Sequence, residues 1–173
     1  MNRFEFLRPT DGLLIHAASV LVPTGALLLL GHSGAGKSTL CRLLSRQYPI
    51  VADDLTALTR QHNGTWLVAS IEQLARRDAS GSVPLHAVVR IFQSETTKLA
   101  SIPPRETCRH LLDALFEIMG EEREELPRIR TWFRYAGEVS RNYDGWQLEF
   151  RLGSDVIESI REEFGPHFID GQG

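Results

Sequence analysis

The chain has 173 residues, 42 % of them hydrophobic and 24 % charged, with 19 Lys and Arg against 22 Asp and Glu for a formal net charge of −3. That is the balance of a globular protein long enough for one domain with a sizeable core, and its mild acidity gives no electrostatic footprint for nucleic acid or an anionic membrane. Only Cys41 and Cys108 carry thiols, and both fall on predicted apolar helix faces, which favours buried free thiols over a disulfide or metal site.

The longest apolar run is too short to span a bilayer, and Met1-Asn2-Arg3-Phe4-Glu5-Phe6 lacks the features of a signal peptide, so a cytoplasmic protein is expected. Phe4 and Phe6 alternate with polar neighbours and predict a short edge strand. A turn at Pro9-Thr10-Asp11-Gly12 leads into a strand over residues 13–22, apolar except for His16 and Ser19. After Pro23-Thr24-Gly25, residues 26–30 form a buried strand, and a helix is predicted over 38–47, ending before Pro49. Ile50-Val51-Ala52 returns to the sheet and ends in Asp53-Asp54. Residues 55–59 and 65–69 flank Asn63-Gly64, the signature of a tight hairpin. Residues 71–77 suggest a short helix, 79–82 a flexible loop, 84–92 a further strand and 93–99 a loop.

Pro103-Pro104 opens a helix whose Cys108, Leu111, Leu112, Leu115, Phe116 and Met119 trace one face. The acidic run 121–125 reads as the solvated start of a second helix bearing Leu126, Ile129, Phe133 and Ala136. Trp146, Leu148, Phe150 and Leu152 alternate as a half-buried strand. Ser154-Asp155 then caps a last helix, closed by Gly165-Pro166. The antiparallel hairpin after the acidic pair argues against a doubly wound succession of βα units.

Within this frame lies Gly31-His32-Ser33-Gly34-Ala35-Gly36-Lys37-Ser38-Thr39, which fits the phosphate-binding pattern G-x-x-x-x-G-K-[ST] without mismatch. The strand Leu27-Leu28-Leu29-Leu30 feeds it, and Leu40, Leu43 and Leu44 leave it at helical spacing. The glycines let several backbone N–H groups converge on phosphate oxygens, with the positive end of the following helix facing the same anion. Lys37 is placed for the β- and γ-phosphates and the Ser38 hydroxyl for Mg²⁺. His32 sits at a permissive position, and Thr39 serves the helix start. A nucleoside triphosphate is the expected ligand.

Asp53 and Asp54 follow Lys37 by about sixteen positions, one helix and one strand later, which returns them to the end of the sheet that holds the loop. One carboxylate suits the water shell of Mg²⁺ and the other acceptance of a proton from an attacking hydroxyl; Ser38 and Asp53 are the expected metal side and Asp54 the favoured base, with the split between the two aspartates left open. His16 stands between two roles. It is either a satisfied core histidine or, if its strand neighbours the loop strand, a hydrogen-bond partner of the acidic pair.

His16-Ala17-Ala18-Ser19, the loop and Val51-Ala52-Asp53-Asp54 together resemble the catalytic domain of the bacterial HPr kinase/phosphorylase family, in which these segments occur in this order and at about these spacings. Pro84-Leu85-His86-Ala87-Val88-Val89 and Ile102-Pro103-Pro104-Arg105-Glu106 are similar to segments of small relatives of that enzyme. The resemblance implies a single α/β P-loop sandwich over residues 1–173, like the nucleotide domain of phosphoenolpyruvate carboxykinase. Its expected features are a mixed sheet, a hairpin after the acidic pair and helices in the C-terminal half. It implies that Lys37 and Ser38 bind phosphate and magnesium, that Asp53 and Asp54 supply metal-organising acid and base, and that His16 assists. Two departures narrow it. Thr39 stands where the full-length enzymes have Glu, and the chain has no counterpart of their N-terminal domain or their second signature, so neither phosphorolysis nor HPr as substrate is expected.

The function expected is an ATP- and Mg²⁺-dependent kinase with a peptide, protein or small-molecule hydroxyl as acceptor, and self-association stays open. A nucleotide-binding regulatory or assembly module with weak ATPase activity is the alternative, disfavoured because a binding module needs no base. The loops at 79–82 and 93–99, with Lys98, and the helix-borne Arg105 and Arg109 are the expected acceptor side.

Overall fold

Leu27, Leu28, Leu29 and Leu30 point alternately to two sides of a strand, so all four can be buried only where both faces of the sheet are covered. Each of them is fully buried. The computed structural model describes residues 11–76, 81–119 and 126–165. In chain order its elements are β1 (Gly12–Val22), β2 (Gly25–Leu30), α1 (Lys37–Leu44), β3 (Ile50–Ala52), β4 (Leu55–Arg60), β5 (Trp66–Ser70) and α2 (Ile71–Arg76). They are followed by β6 (Val83–Gln93), β7 (Lys98–Ile102), α3 (Pro104–Met119), α4 (Leu126–Asn142), β8 (Asp144–Phe150) and α5 (Ser154–Phe164). Leu28 and Leu30 pack on one side with Leu111 and Leu115 of α3 and Trp132, Tyr135 and Val139 of α4. Leu27 and Leu29 pack on the other with Leu40, Cys41 and Leu44 of α1 and Val156, Ile160 and Phe164 of α5.

The eight strands run in the order β2-β1-β4-β5-β6-β8-β7, with β3 also on β1 and β2 also on β6. The β2–β6 and β6–β8 pairs are parallel and the others antiparallel. The result is a mixed α/β fold. The long strand β1 makes this possible by changing partner along its length, pairing Gly12 to His16 with β4 and Ala17 to Val22 with β2. On the edge away from β2, β3 and β4 follow one another, with Ser19 opposite Ala52 and His16 opposite Leu55. Asp53 and Asp54 form the bend between them. The Ala17 N–H donates to the Asp54 carbonyl at 3.1 Å, and the buried Thr56 hydroxyl donates to the Ala17 carbonyl at 2.7 Å. The bend is therefore pinned from both sides.

The expected hairpin joins β4 to β5 in antiparallel register, with Gly64 at φ +84° and the Asn63 side chain accepting from the Thr65 N–H. Other expectations need correction. The helix expected to reach residue 47 ends at Leu44, because the buried Tyr48 turns its N–H back to the Leu44 carbonyl and its hydroxyl to that of Gly165. Lys98 and Leu99, expected in a loop, open β7, an edge strand paired with β8, with Leu99 packed against the core. On α4 the buried face is Trp132, Tyr135, Ala136 and Val139, leaving Leu126 and Phe133 exposed. Leu152 lies beyond β8 and is exposed. Gly153, not Ser154, precedes the first turn of α5 without a side-chain cap, and the Asp155 carboxylate accepts instead from the Thr97 hydroxyl. Both cysteines are free, Cys41 buried and Cys108 half-buried. Among the described residues no helix is long and apolar enough to cross a membrane. The strand expected at Phe4 and Phe6, residues 79–80 of the flexible loop, the acidic run and Pro166 lie outside the described residues.

Candidate functional site

Strand β2 ends at Leu30, and its neighbours decide what surrounds the loop that follows. Leu30 is opposite Ala17 of β1 and opposite Arg90 of β6, so His16 and Arg90 flank the point where the chain leaves the sheet. Two loop glycines have backbone in the left-handed region, Gly34 at φ +81° and Gly36 at φ +92°. A Cβ at Gly36 would also fall 2.7 Å from the Gln93 amide nitrogen, and one at Gly31 2.8 Å from the Ala35 methyl. The loop is thus packed against β6, and its glycines are required by conformation or by space.

Lys37 opens α1 yet is buried, and its ammonium donates to the carbonyls of Gly31 at 2.5 Å and His32 at 3.3 Å. Burial pulls its pKa below the ordinary lysine value, while the nearby Glu117 and Asp54 carboxylates work in the opposite direction. His32, Ser33, Gly34, Ser38 and Thr39 are exposed, and Ala35 is buried beneath them. A cleft of about 370 Å³ opens over the loop; His16, Asp54 and Gln93 line it together with Lys37, Ser38 and Thr39.

The two aspartates part company here. Of the two only Asp54 lines the cleft, while both border a neighbouring hollow of about 360 Å³ between β3 and α2. The Asp53 charge is felt by the Cys41 thiol of α1. His16 meets the condition that its strand adjoin the loop strand. Its Nε2 lies 3.1 Å from Asp54 Oδ1 and its Nδ1 3.1 Å from Glu117 Oε2. The second oxygen of Glu117 accepts the Ser33 N–H of the loop at 2.9 Å. A chain of contacts therefore runs Asp54–His16–Glu117–Ser33, from the strand bend to the loop backbone.

Residues 2–160 match the model of the family described as SynChlorMet cassette protein ScmC. The chain belongs to the ScmC family. Among solved structures, that of the HPr(Ser) kinase/phosphatase from Coxiella burnetii is similar at 15 % identity over 86 % of each chain, with a TM-score of 0.44. No curated protein matches the chain.

Two residues of this ScmC-family chain reach the site without having been legible as site residues. Glu117 comes from the far end of α3, and Arg90 from the middle of β6. The Arg90 guanidinium is half-buried, lies 4.9 Å from the centre of the Phe92 ring, and its Nε has no hydrogen-bond partner among the described residues. Burial lowers its pKa, against the pull of Asp113 and Glu117. On α3, His110, Asp113 and Glu117 follow at helical spacing, forming a polar stripe that ends at the loop. His110 is buried with its Nδ1 3.9 Å from Asp113 and without a hydrogen bond among the described residues, and burial lowers its pKa first, then the charges of Arg90 and Arg109.

The residues expected on the acceptor side are elsewhere. Lys98 is exposed on β7 and does not line the cleft. Arg105 precedes Glu117 by twelve helical residues, about 18 Å along the axis at the helical rise, and Arg109 by eight, about 12 Å. Among the described residues expected there, only Gln93, the first of the expected 93–99 loop, borders the cleft.

The donor set suits a triphosphate with magnesium. The loop already holds a carboxylate oxygen on the Ser33 N–H, which shows that this backbone takes an anionic oxygen. The Ser38 hydroxyl and Asp54 share the cleft and offer oxygen donors only, the preference of Mg²⁺. Among the described residues no three His, Cys, Asp or Glu side chains cluster closely enough to hold a metal alone. Magnesium here would therefore depend on phosphate oxygens and water for most of its ligands, its usual habit in nucleotide sites.

Proposed function

We propose that this protein is an ATP- and Mg²⁺-dependent kinase that transfers the γ-phosphoryl group to a serine-type hydroxyl of a peptide, protein or small molecule. The observation that carries the reading is the His16–Asp54 contact at 3.1 Å in the wall of the cleft that contains the phosphate loop. A loop alone binds a nucleotide. A carboxylate aimed into the same cleft by a histidine adds a proton acceptor beside the place where the terminal phosphate belongs.

In this scheme the loop N–H groups and Lys37 hold the phosphates and neutralise the charge that develops on them. Ser38 would help to hold Mg²⁺, and Asp53, which does not line the cleft, would contribute through the water shell. The acceptor oxygen bonds to the γ-phosphorus as the bond from phosphorus to the β–γ bridging oxygen breaks. The hydroxyl proton passes to Asp54, and ADP leaves. His16 keeps the Asp54 carboxylate oriented and balances its charge.

The test is γ-labelled ATP and Mg²⁺ with purified protein, alone and with panels of hydroxyl-bearing peptides and metabolites. Slow ATP consumption without acceptor and fast transfer with one, giving an acid-stable, alkali-labile phosphoester, is the expected result. Vigorous hydrolysis without acceptor would instead favour a nucleotide-driven assembly module. An acid-labile adduct would contradict a hydroxyl acceptor.

A further inference from the structure

The Glu117 carboxylate is held on a backbone N–H of the glycine-rich loop. One of its oxygens takes the Ser33 N–H at 2.9 Å and the other lies 3.1 Å from His16 Nδ1. It is also the carboxylate whose charge acts most on the Lys37 ammonium. Its side chain is 30 % exposed, so it is partly shielded from water but free to swing outward at the end of α3. Phosphate loops use backbone N–H groups for the inner phosphates and the lysine for the outer ones. Lys37 shares the cleft with the His16–Asp54 pair, so the terminal phosphate belongs between them, and Glu117 borders that space through its contacts with His16 and the Ser33 N–H.

We propose that Glu117 is a positioning residue that the terminal phosphate displaces from the Ser33 N–H, so that it discriminates triphosphate from diphosphate. This rests on the kinase reading above. In the free protein Glu117 satisfies the loop N–H and holds His16 from the side opposite Asp54. A diphosphate bound through α1 and the inner loop leaves that contact in place. A triphosphate brings further negative charge against it and drives it off, and this displacement sets an energetic toll on triphosphate binding alone. The hydrogen bonding on His16 supports the same role. Carboxylates stand 3.1 Å from both of its ring nitrogens, Asp54 on one side and Glu117 on the other. Moving Glu117 away leaves His16 bonded to Asp54 alone, the arrangement the proton acceptor requires.

The experiment compares wild type, Glu117→Gln and Glu117→Ala by calorimetry with ADP and with the non-hydrolysable triphosphate adenylyl imidodiphosphate, each with Mg²⁺ at low salt. Glutamine keeps the shape and can still accept the Ser33 N–H without the charge; alanine removes both and suits a helix, and thermal unfolding checks that both variants fold. The triphosphate analogue is expected to bind both variants about tenfold tighter, the effect of removing one partly shielded like charge, while ADP binding changes less than about twofold. Equal changes for the two nucleotides, or none, overturn the proposal while leaving the kinase reading intact. Weaker triphosphate binding in both variants also overturns it and marks Glu117 as a partner of the metal. Wild-type protein that binds neither nucleotide refutes the kinase reading, and the role of Glu117 falls with it.

Discussion

Replacing His16 by alanine separates a catalytic histidine from a core histidine, because the two roles predict losses of different kinds. The imidazole makes two contacts at 3.1 Å. Asp54 is 78 % exposed and regains water when the ring is removed, so that pair contributes in the range of surface ion pairs, about 0–1 kcal/mol. Glu117 keeps its bond from the Ser33 N–H. Together with the lost packing of a mostly buried ring, the destabilisation should be about 1–2 kcal/mol. In a chain of this size that lowers Tm by roughly 2–8 °C. A domain with about 5–15 kcal/mol of stability remains almost wholly folded at 25 °C after such a loss. Unfolding therefore cannot account for a large fall in turnover. Loss of the ring that orients the Asp54 base, by contrast, should reduce turnover by about 10²-fold or more. The assay is phosphoryl transfer per folded molecule, with folded fraction measured by circular dichroism on the same samples. Turnover within about threefold of wild type, accompanied by a large drop in Tm, would refute the reasoning and return His16 to the core.

Lys37→Ala removes the one ammonium in the cleft and should weaken ATP binding by about 2 kcal/mol or more, the worth of a charge-assisted hydrogen bond; unchanged affinity in a folded variant by calorimetry would sink the nucleotide reading. Asp54→Asn should leave nucleotide binding intact and cut turnover by about 10²-fold, whereas Asp53→Asn should chiefly raise the Mg²⁺ concentration needed; normal turnover and normal Mg²⁺ dependence in both variants would show the mechanism to be wrong. Burial, and then the Asp53 charge, push the Cys41 thiol up to about 12. Since the thiolate is the reactive form, and only about one thiol in ten thousand is ionised four units below its pKa, native protein at pH 8 should not be alkylated at Cys41. Mass spectrometry showing rapid native labelling there would contradict the packing of α1.

What the sequence made legible was what local chemistry constrains. The glycine-rich loop stands out because each of its fixed positions answers to a separate demand, and the structure shows two of those demands directly in the φ of Gly36 and its approach to Gln93. The hairpin was marked by Asn63-Gly64, and α3 by its apolar period. Strand β7 was not legible, because five residues with an exposed lysine and an exposed serine owe their conformation to pairing with β8. On α4 the apolar spacing of Leu126, Ile129 and Phe133 pointed to a face that the fold leaves at the margin, where Phe133 meets Phe116 with ring centres 6.3 Å apart. Glu117 left a faint signal. Thr107, His110 and Ala114 are buried at spacings of three and four, and Glu117 continues their stripe, so a carboxylate fell in phase with the core side of its helix. Attention to the apolar residues alone passed over it.

The placement of Asp54 rather than Asp53 beside His16 follows from register, and register depends on residues outside the site. β3 and β4 run antiparallel to β1 in one line, with Ser19 opposite Ala52 and His16 opposite Leu55. Asp54 thus falls opposite Ala17, whose N–H it accepts, one position from His16. Ala17 is in turn opposite Leu30, the last residue before the loop. A single strand, β1, therefore sets the distance from acid to histidine on one edge and from histidine to loop on the other. Because side chains alternate along a strand, a slip of one residue between β1 and β4 would turn the core positions Thr56 and Leu58 outward and carry Asp54 away from the ring. The burial of those two side chains holds the register. The geometry of the cleft is thus specified by apolar packing on a neighbouring strand, and a sequence motif by itself carries no record of it.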